Sequence, residues 1–259
     1  MLKVRVMPTL LLRDLTLVKG VRFDSWRRVG SVMQAVKVYN MREVDELVFL
    51  DITATRDERD PDFLTVDEIA DECFMPLTVG GGIRSVEHVR KLLRVGADKV
   101  AINTSAVEEP QLIAEVADEF GSQCVVASID ATRRDDGKHE VLTHSGTRRT
   151  GLTPVEVARE VERRGAGEIL ITSIDRDGTF LGYDLVLIRA VVGAVSIPVI
   201  ASGGAGSYEH MGDAIVDGGA SAVAAASIFH FTEQTPLGVK AYLRSLGVPV
   251  RIQGGRSPT

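Results

Sequence analysis

The chain reads VGGGI at residues 79–83 and SGGAG at 202–206. Each glycine cluster ends a short apolar, strand-like run, MPLTV before the first and IPVIA before the second. Gly81 and Gly82 fall 122 residues before Gly203 and Gly204. Two further pairs keep nearly the same offset: GADKVAINTSA at 96–106 matches GASAVAAASIF at 219–229, and FLDIT at 49–53 matches ITSID at 171–175. Self-similarity at a fixed spacing marks a duplicated architecture, here two halves of four units each.

Working outward from these clusters, short β-branched runs alternate with longer stretches whose apolar residues fall three and four apart, as in SVEHVRKLLRVG and PVEVAREVERRG. Eight strand–helix units in 259 residues predict a closed parallel (β/α)8 barrel, with a doubly wound open sheet as the alternative. No Pro/Gly/Ser-rich linker divides the chain, so residues 1–259 read as one domain with half-barrels at about 1–122 and 123–250 and a short C-terminal tail.

With 44% apolar and 25% charged residues, the chain is rich enough to pack a core. A net charge of −6 argues against a general nucleic-acid binder. No apolar run approaches the ~20 residues of a membrane span. The N-terminal MLKVRVMPTLLL lacks a cleavage site of small residues, so a cytoplasmic location is expected. Cys73 and Cys124 lack metal-ligand spacing and read as buried free thiols. No metal or cofactor is expected.

Ligands of such barrels sit at the C-terminal ends of the strands. Glycine and small polar clusters fall there in both halves: Gly82 with Asn103 and Thr104 in the first, and Gly178, Gly203, Gly204, Ala226 and Ser227 in the second. Glycines let backbone N–H groups approach phosphate oxygens, and a helix N-terminus favours negative charge. One such pair is no more than a tight turn. Two related pairs predict a substrate with two phosphates. Asp130 and Asp51 end strands and reach the mouth, where a desolvated carboxylate can serve as acid or base, or else cap a loop. Lys19, in the long loop after the first strand, can neutralise substrate charge, and Asp177 stands beside Gly178. The first half has PTLLL at 8–12 where the second has ASIDA at 127–131, so Leu11 occupies the position of Asp130. Leucine does no proton chemistry.

The strand period of two exposes a second pattern. Arg5 shares a face with Met7, Thr9 and Leu11. Glu46 groups with Val48 and Leu50, Lys99 with Ala101 and Asn103, and Glu168 with Leu170 and Thr172. One charge at the start of every second strand predicts a ring of two cations and two anions across the barrel floor. It reads either as a salt-bridge plug or as a gate for a small molecule. At a rise of ~3.3 Å per residue the route from Arg5 to Leu11 is ~20 Å long.

The segments DELVFLDITAT, TVGGGIRS, GADKVAINTSAVE, GEILITSIDRDGT, IPVIASGGAG and AASIFHF resemble the cyclase subunit of imidazole glycerol phosphate synthase, HisF, from Met1 to about Gln253. That resemblance implies a (β/α)8 barrel paired with a glutaminase, HisH, docked on the N-terminal face around Asp98. Ammonia would pass from it through a gate matching Arg5, Glu46, Lys99 and Glu168. It also implies phosphate sites at Gly82, Asn103 and Thr104, and at Gly178, Gly204, Ala226 and Ser227. The departure is Leu11, an aspartate in the histidine-pathway enzyme, where it works with the carboxylate matched by Asp130.

The segments at 6–23, 27–52 and 72–77 resemble more closely a HisF-like branch of surface-polysaccharide pathways. Those proteins, with a glutaminase and an adenylating amidotransferase-like enzyme, help install an acetamidino group on a nucleotide-linked amino sugar. The expectation is thus a lyase- or cyclase-like synthase subunit of a glutamine amidotransferase, with Asp130, Asp51, Lys19 and Asp177 at the chemistry. The alternatives are the histidine-pathway cyclase itself and a non-catalytic ammonia conduit.

Overall fold

Arg5–Arg13 buries seven consecutive residues, as a strand covered on both faces must. The other barrel strands are likewise buried along nearly their whole length. The computed structural model describes residues 3–42 and 44–251. Its strands in chain order are β1 (Arg5–Arg13), β2 (Thr16–Val21), β3 (Asp24–Gly30), β4 (Leu47–Asp51), β5 (Leu77–Gly80), β6 (Lys99–Ile102), β7 (Val125–Arg133), β8 (His139–Thr143), β9 (Arg148–Arg149), β10 (Glu168–Ser173), β11 (Val199–Ser202) and β12 (Ala222–Ala225). Eight of these, β1, β4, β5, β6, β7, β10, β11 and β12, pair in that order and all in parallel. β12 returns to pair with β1, Arg5 opposite Ala222 and Pro8 opposite Ala225, and the barrel is closed. It is the (β/α)8 barrel that the alternation predicts, and the open sheet is excluded.

The connecting helices are α1 (Val32–Met41), α2 (Phe63–Glu72), α3 (Val86–Arg94), α4 (Thr104–Glu108), α5 (Gln111–Phe120), α6 (Pro154–Arg163), α7 (Leu185–Val192), α8 (Tyr208–Val216), α9 (Ser227–Phe231) and α10 (Pro236–Ser245). Their starts are written in the sequence. Ser85 accepts the His88 amide at α3, and Ser207 accepts the His210 amide at α8. At α6, Thr153 and Glu156 form a capping box with Pro154 in the first turn. The echo recurs in the elements: α3 and α8 have nine residues each, and α4 and α9 have five.

Two hydrophobic clusters result. The larger lies between barrel and helices. The smaller fills the lumen with Met7, Val48, Ala101, Val126, Leu170, Ile200, Ala222 and Ala224. The period-two grouping is therefore right: these are the inward faces of the strands. Two antiparallel hairpins interrupt the strand–helix alternation, β2–β3 after the first barrel strand and β8–β9 after the fifth. Lys19, expected in a loop, stands on β2, because Thr16–Val21 continues the β1 ladder by folding back on it. Cys124 is buried as expected, but Cys73 is only half-buried, since it follows α2 at the rim of the N-terminal face. Both are free. Among the described residues no helix is long and apolar enough to cross a membrane.

A buried ion pair fastens the last helix where the barrel closes. Lys240 Nζ of α10 lies 2.7 Å from Asp45 Oδ1, and the same carboxylate accepts the Val6 amide at 2.9 Å. Lys240→Ala would leave the buried Asp45 carboxylate without this cation, and we expect a loss of about 3–5 kcal/mol in urea unfolding. A loss below about 1 kcal/mol would show that the closure does not depend on the pair.

Candidate active site

The strands of a parallel barrel all end at one rim, so their last inward residues converge on a single cavity. Here that cavity is lined by Thr9, Leu11, Leu50, Ser128, Asp130 and Thr172 from the barrel and by Lys19, Phe23 and Trp26 from the β2–β3 hairpin. β1 and β7 are separated by three strands on either side, which sets Leu11 and Asp130 on opposite walls.

Asp130 is buried, and its Oδ2 accepts the Asn103 side-chain amide at 3.0 Å. Burial pushes its carboxyl from the ordinary 3.8 up to about 7, against the Asn103 hydrogen bond, with the neighbouring Asp177 carboxylate adding to the rise. A carboxyl raised toward neutrality is suited to general acid or base work. Lys19 Nζ donates to Asp177 Oδ2 at 2.6 Å, and both are buried. Burial pushes Asp177 up as well, opposed by that ammonium. Asp51 is different. Its Oδ1 accepts the amides of Thr53 and Ala54 at 2.9 and 3.1 Å, and Arg59 lies 3.2 Å from Oδ2. Asp51 lines the cavity as well, and these bonds also hold the 52–59 loop, the capping alternative that its sequence position allowed.

The glycine clusters flank the cavity. Asn103, Thr104, Gly178, Gly203, Gly204, Ala226 and Ser227 all line it, with Asn103 and Ala226 at the N-terminal caps of the two five-residue helices. In the first half the lining glycine is Gly81; Gly82 sits one residue behind, its amide directed at Thr55 Oγ1 at 3.4 Å. Gly81 has φ +110°, and a Cβ there would come within 2.3 Å of the Asp51 carbonyl, so only glycine fits. Behind each cluster stands a histidine missed in the sequence reading. The Nδ1 of His210 accepts the Gly206 amide at 3.2 Å, and that of His88 lies 3.4 Å from the Arg84 amide. The signal was present, for His88 and His210 keep the 122-residue offset of the glycines.

The hairpins close over the mouth. The Arg22 amide donates to the Asp177 carbonyl at 2.8 Å, and Gly178 packs so tightly on β2 that a Cβ would lie 2.3 Å from the Gly20 carbonyl. Arg27 sits 3.9 Å from the Phe231 ring centre. Among the described residues, the non-glycines with a left-handed backbone lie in loops at this end, apart from Ser25 on β3, and include Arg22, Phe23, His144 and Ser145 with φ of 52–59°. Such strain gathers where loops are shaped for a ligand rather than for stability.

At the opposite end the four charges meet. Arg5 Nη1 donates to Glu46 Oε2 at 2.9 Å and to Glu168 at 3.0 Å. Lys99 Nζ donates to Glu46 Oε2 at 2.9 Å and to Glu168 Oε1 at 3.2 Å. The ring is closed and alternating. Its members do not come from every second strand, however. Glu46, Lys99 and Glu168 belong to the second, fourth and sixth strands, while Arg5 belongs to the first. The eighth strand offers only Ala222, in register with Arg5, and that methyl leaves room for the guanidinium. Burial pulls the Arg5 pKa down, but Glu168 and Glu46 outweigh it and the group is firmly cationic. Asp98, exposed on the same face, accepts the Leu77 amide at 2.8 Å. Among the described residues no group of His, Cys, Asp and Glu could hold a metal ion.

A carboxyl raised by folding holds its proton more tightly in the folded than in the unfolded chain. The stability Asp130 contributes is therefore complete below its unfolded value near 3.8 and is lost as pH rises through about 7. Wild type is expected to lose up to about 4 kcal/mol relative to Asp130→Asn between pH 4 and 8, read by urea unfolding. A difference that stays flat over that range would show an ordinary aspartate.

The sequence that builds this mouth and floor matches a family model. The model described as "Histidine biosynthesis protein" covers residues 5–235, from the first barrel strand to the threshold of the last helix, and the chain belongs to that family.

Proposed function

We propose that the protein is the synthase subunit of a glutamine-dependent amidotransferase, using ammonia from a glutaminase partner on a phosphorylated acceptor. The observation that carries this reading is the charged ring beneath an apolar lumen that opens on Asp130. A plug needs no lumen above it and no reactive mouth beyond. Between ring and mouth the route is walled by Met7, Val48, Ala101 and Leu170, which favour neutral ammonia and exclude ammonium, since an unpaired charge in such surroundings is costly. Thr9 Oγ1, buried at the top of the lumen without a hydrogen-bond partner among the described residues, is free to bond a passing ammonia. The Arg5 side chain keeps 23% of its surface exposed, so the ring reaches the N-terminal face where the glutaminase would dock near Asp98.

At the mouth, the two glycine clusters hold phosphate, Lys19 offsets acceptor charge within its pair to Asp177, and Asp130 accepts a proton from ammonia as its nitrogen displaces the adenylate that a partner enzyme has placed on the acceptor. Leu11 removes the second carboxylate that ring closure to an imidazole requires in the histidine-pathway enzyme. The acceptor we favour is accordingly a nucleotide-linked amino sugar gaining an acetamidino group, with an adenylating partner enzyme. Family membership keeps imidazole glycerol phosphate synthesis as the second reading.

Turnover of the histidine-pathway ribulosyl substrate at saturating ammonium separates the two. Wild type should be nearly inactive, and Leu11→Asp should raise the rate roughly 10²-fold or more. Robust wild-type turnover would make the protein a histidine-pathway cyclase. For the gate, Lys99→Ala with the glutaminase bound should change the ratio of glutamine-driven to ammonium-driven turnover at least about tenfold. An unchanged ratio would return the ring to the role of a plug.

A further inference from the structure

A polar patch of the mouth stands opposite Leu11. Asp130, Asn103, Ser128 and Thr172 stand together on β6, β7 and β10, and Lys19 and Asp177 are paired with each other. The facing side carries an apolar patch. Leu11 and Leu50 are in register on adjacent strands, and Trp26 lines the same cavity from β3. Trp26 is the only tryptophan in the chain. A Cβ on Gly20 would lie 2.3 Å from the Asp24 carbonyl and 2.8 Å from the indole, so glycine on β2 makes room for both the hairpin turn and the ring.

The hairpin that carries Trp26 also abuts the second glycine cluster. Its neighbour Arg27 covers Phe231 of α9, whose cap Ala226 and first residue Ser227 line the mouth, and β2 abuts Gly178. A large aromatic face next to a phosphate cradle, with leucines where a carboxylate could have stood, suits a flat group carried on a phosphate. A chain of hydroxyls would leave its donors unpaired there.

We propose that Trp26, Leu11 and Leu50 form a subsite for the nucleobase of a phosphorylated acceptor, with its phosphate on the cluster of Gly203, Gly204 and Ser227. This rests on the reading of the mouth as a phosphate site. Stacking on an aromatic face is tolerant of base identity, so the subsite selects nucleotides as a class.

Uridine 5′-monophosphate and ribose 5-phosphate differ only by the base, and inorganic phosphate probes the cradle alone. By calorimetry on the intact protein, the nucleotide should bind at least about tenfold more tightly than the sugar phosphate and quench the single tryptophan. Trp26→Ala should collapse that ratio toward one, while Trp26→Phe, which keeps an aromatic face and the hairpin packing, should retain most of it. Equal affinities for the two ligands, with inorganic phosphate still bound, would overturn the nucleobase subsite and leave the phosphate site standing. A ratio that survives in Trp26→Ala would overturn it too. Binding of none of the three would overturn both.

Discussion

Closure of β12 onto β1 is the constraint from which the rest of the structure follows. Once eight parallel strands form a ring, every second side chain is committed to a lumen and every strand end to one of two rims. A charge at the start of a strand then has no route to bulk water except through the floor, and it must find a partner of opposite sign. Arg5, Glu46, Lys99 and Glu168 solve this together. Each carboxylate accepts from both cations, so no charge in the ring depends on one neighbour alone. The Asp45–Lys240 pair does the same for the outer layer, binding the last helix across the seam.

The molecule is thereby divided along its axis into three chemically distinct zones. The floor is ionic and partly exposed, the middle is apolar, and the mouth sets the Asp130 cluster against an apolar patch of Leu11, Leu50 and Trp26. The raised Asp130 belongs to the same logic, because the burial that lifts its pKa comes from its place between the apolar interior and the mouth.

The two halves are alike in what fixes geometry and unlike in what does chemistry. Serine caps, histidines behind the glycine clusters and five-residue helices recur in both. Leu11 opposite Asp130 breaks the symmetry, and the β2–β3 hairpin deepens the break by adding an indole and a lysine to the leucine side. The strain stored in the hairpin turns, at Arg22 and Phe23, sits in the half that gave up its carboxylate and the strained turn at His144 and Ser145 reaches across to meet it.

The sequence by itself determined the alternation of strands and helices, the inward faces of Arg5, Glu46, Lys99 and Glu168, and the glycine clusters, because these are local patterns of period and backbone freedom. It also carried His88 and His210 in the 122-residue offset, although only their contacts reveal what they hold. Tertiary structure alone decided that Lys19 lies on a strand and pairs with Asp177, and that Asp51 is taken up by its own loop. It decided too that Gly81 rather than Gly82 faces the cavity, and that Trp26 joins Leu11. These are contacts between residues distant in the chain, and no local pattern encodes a distance that only barrel closure and the fold of the hairpin over the mouth create.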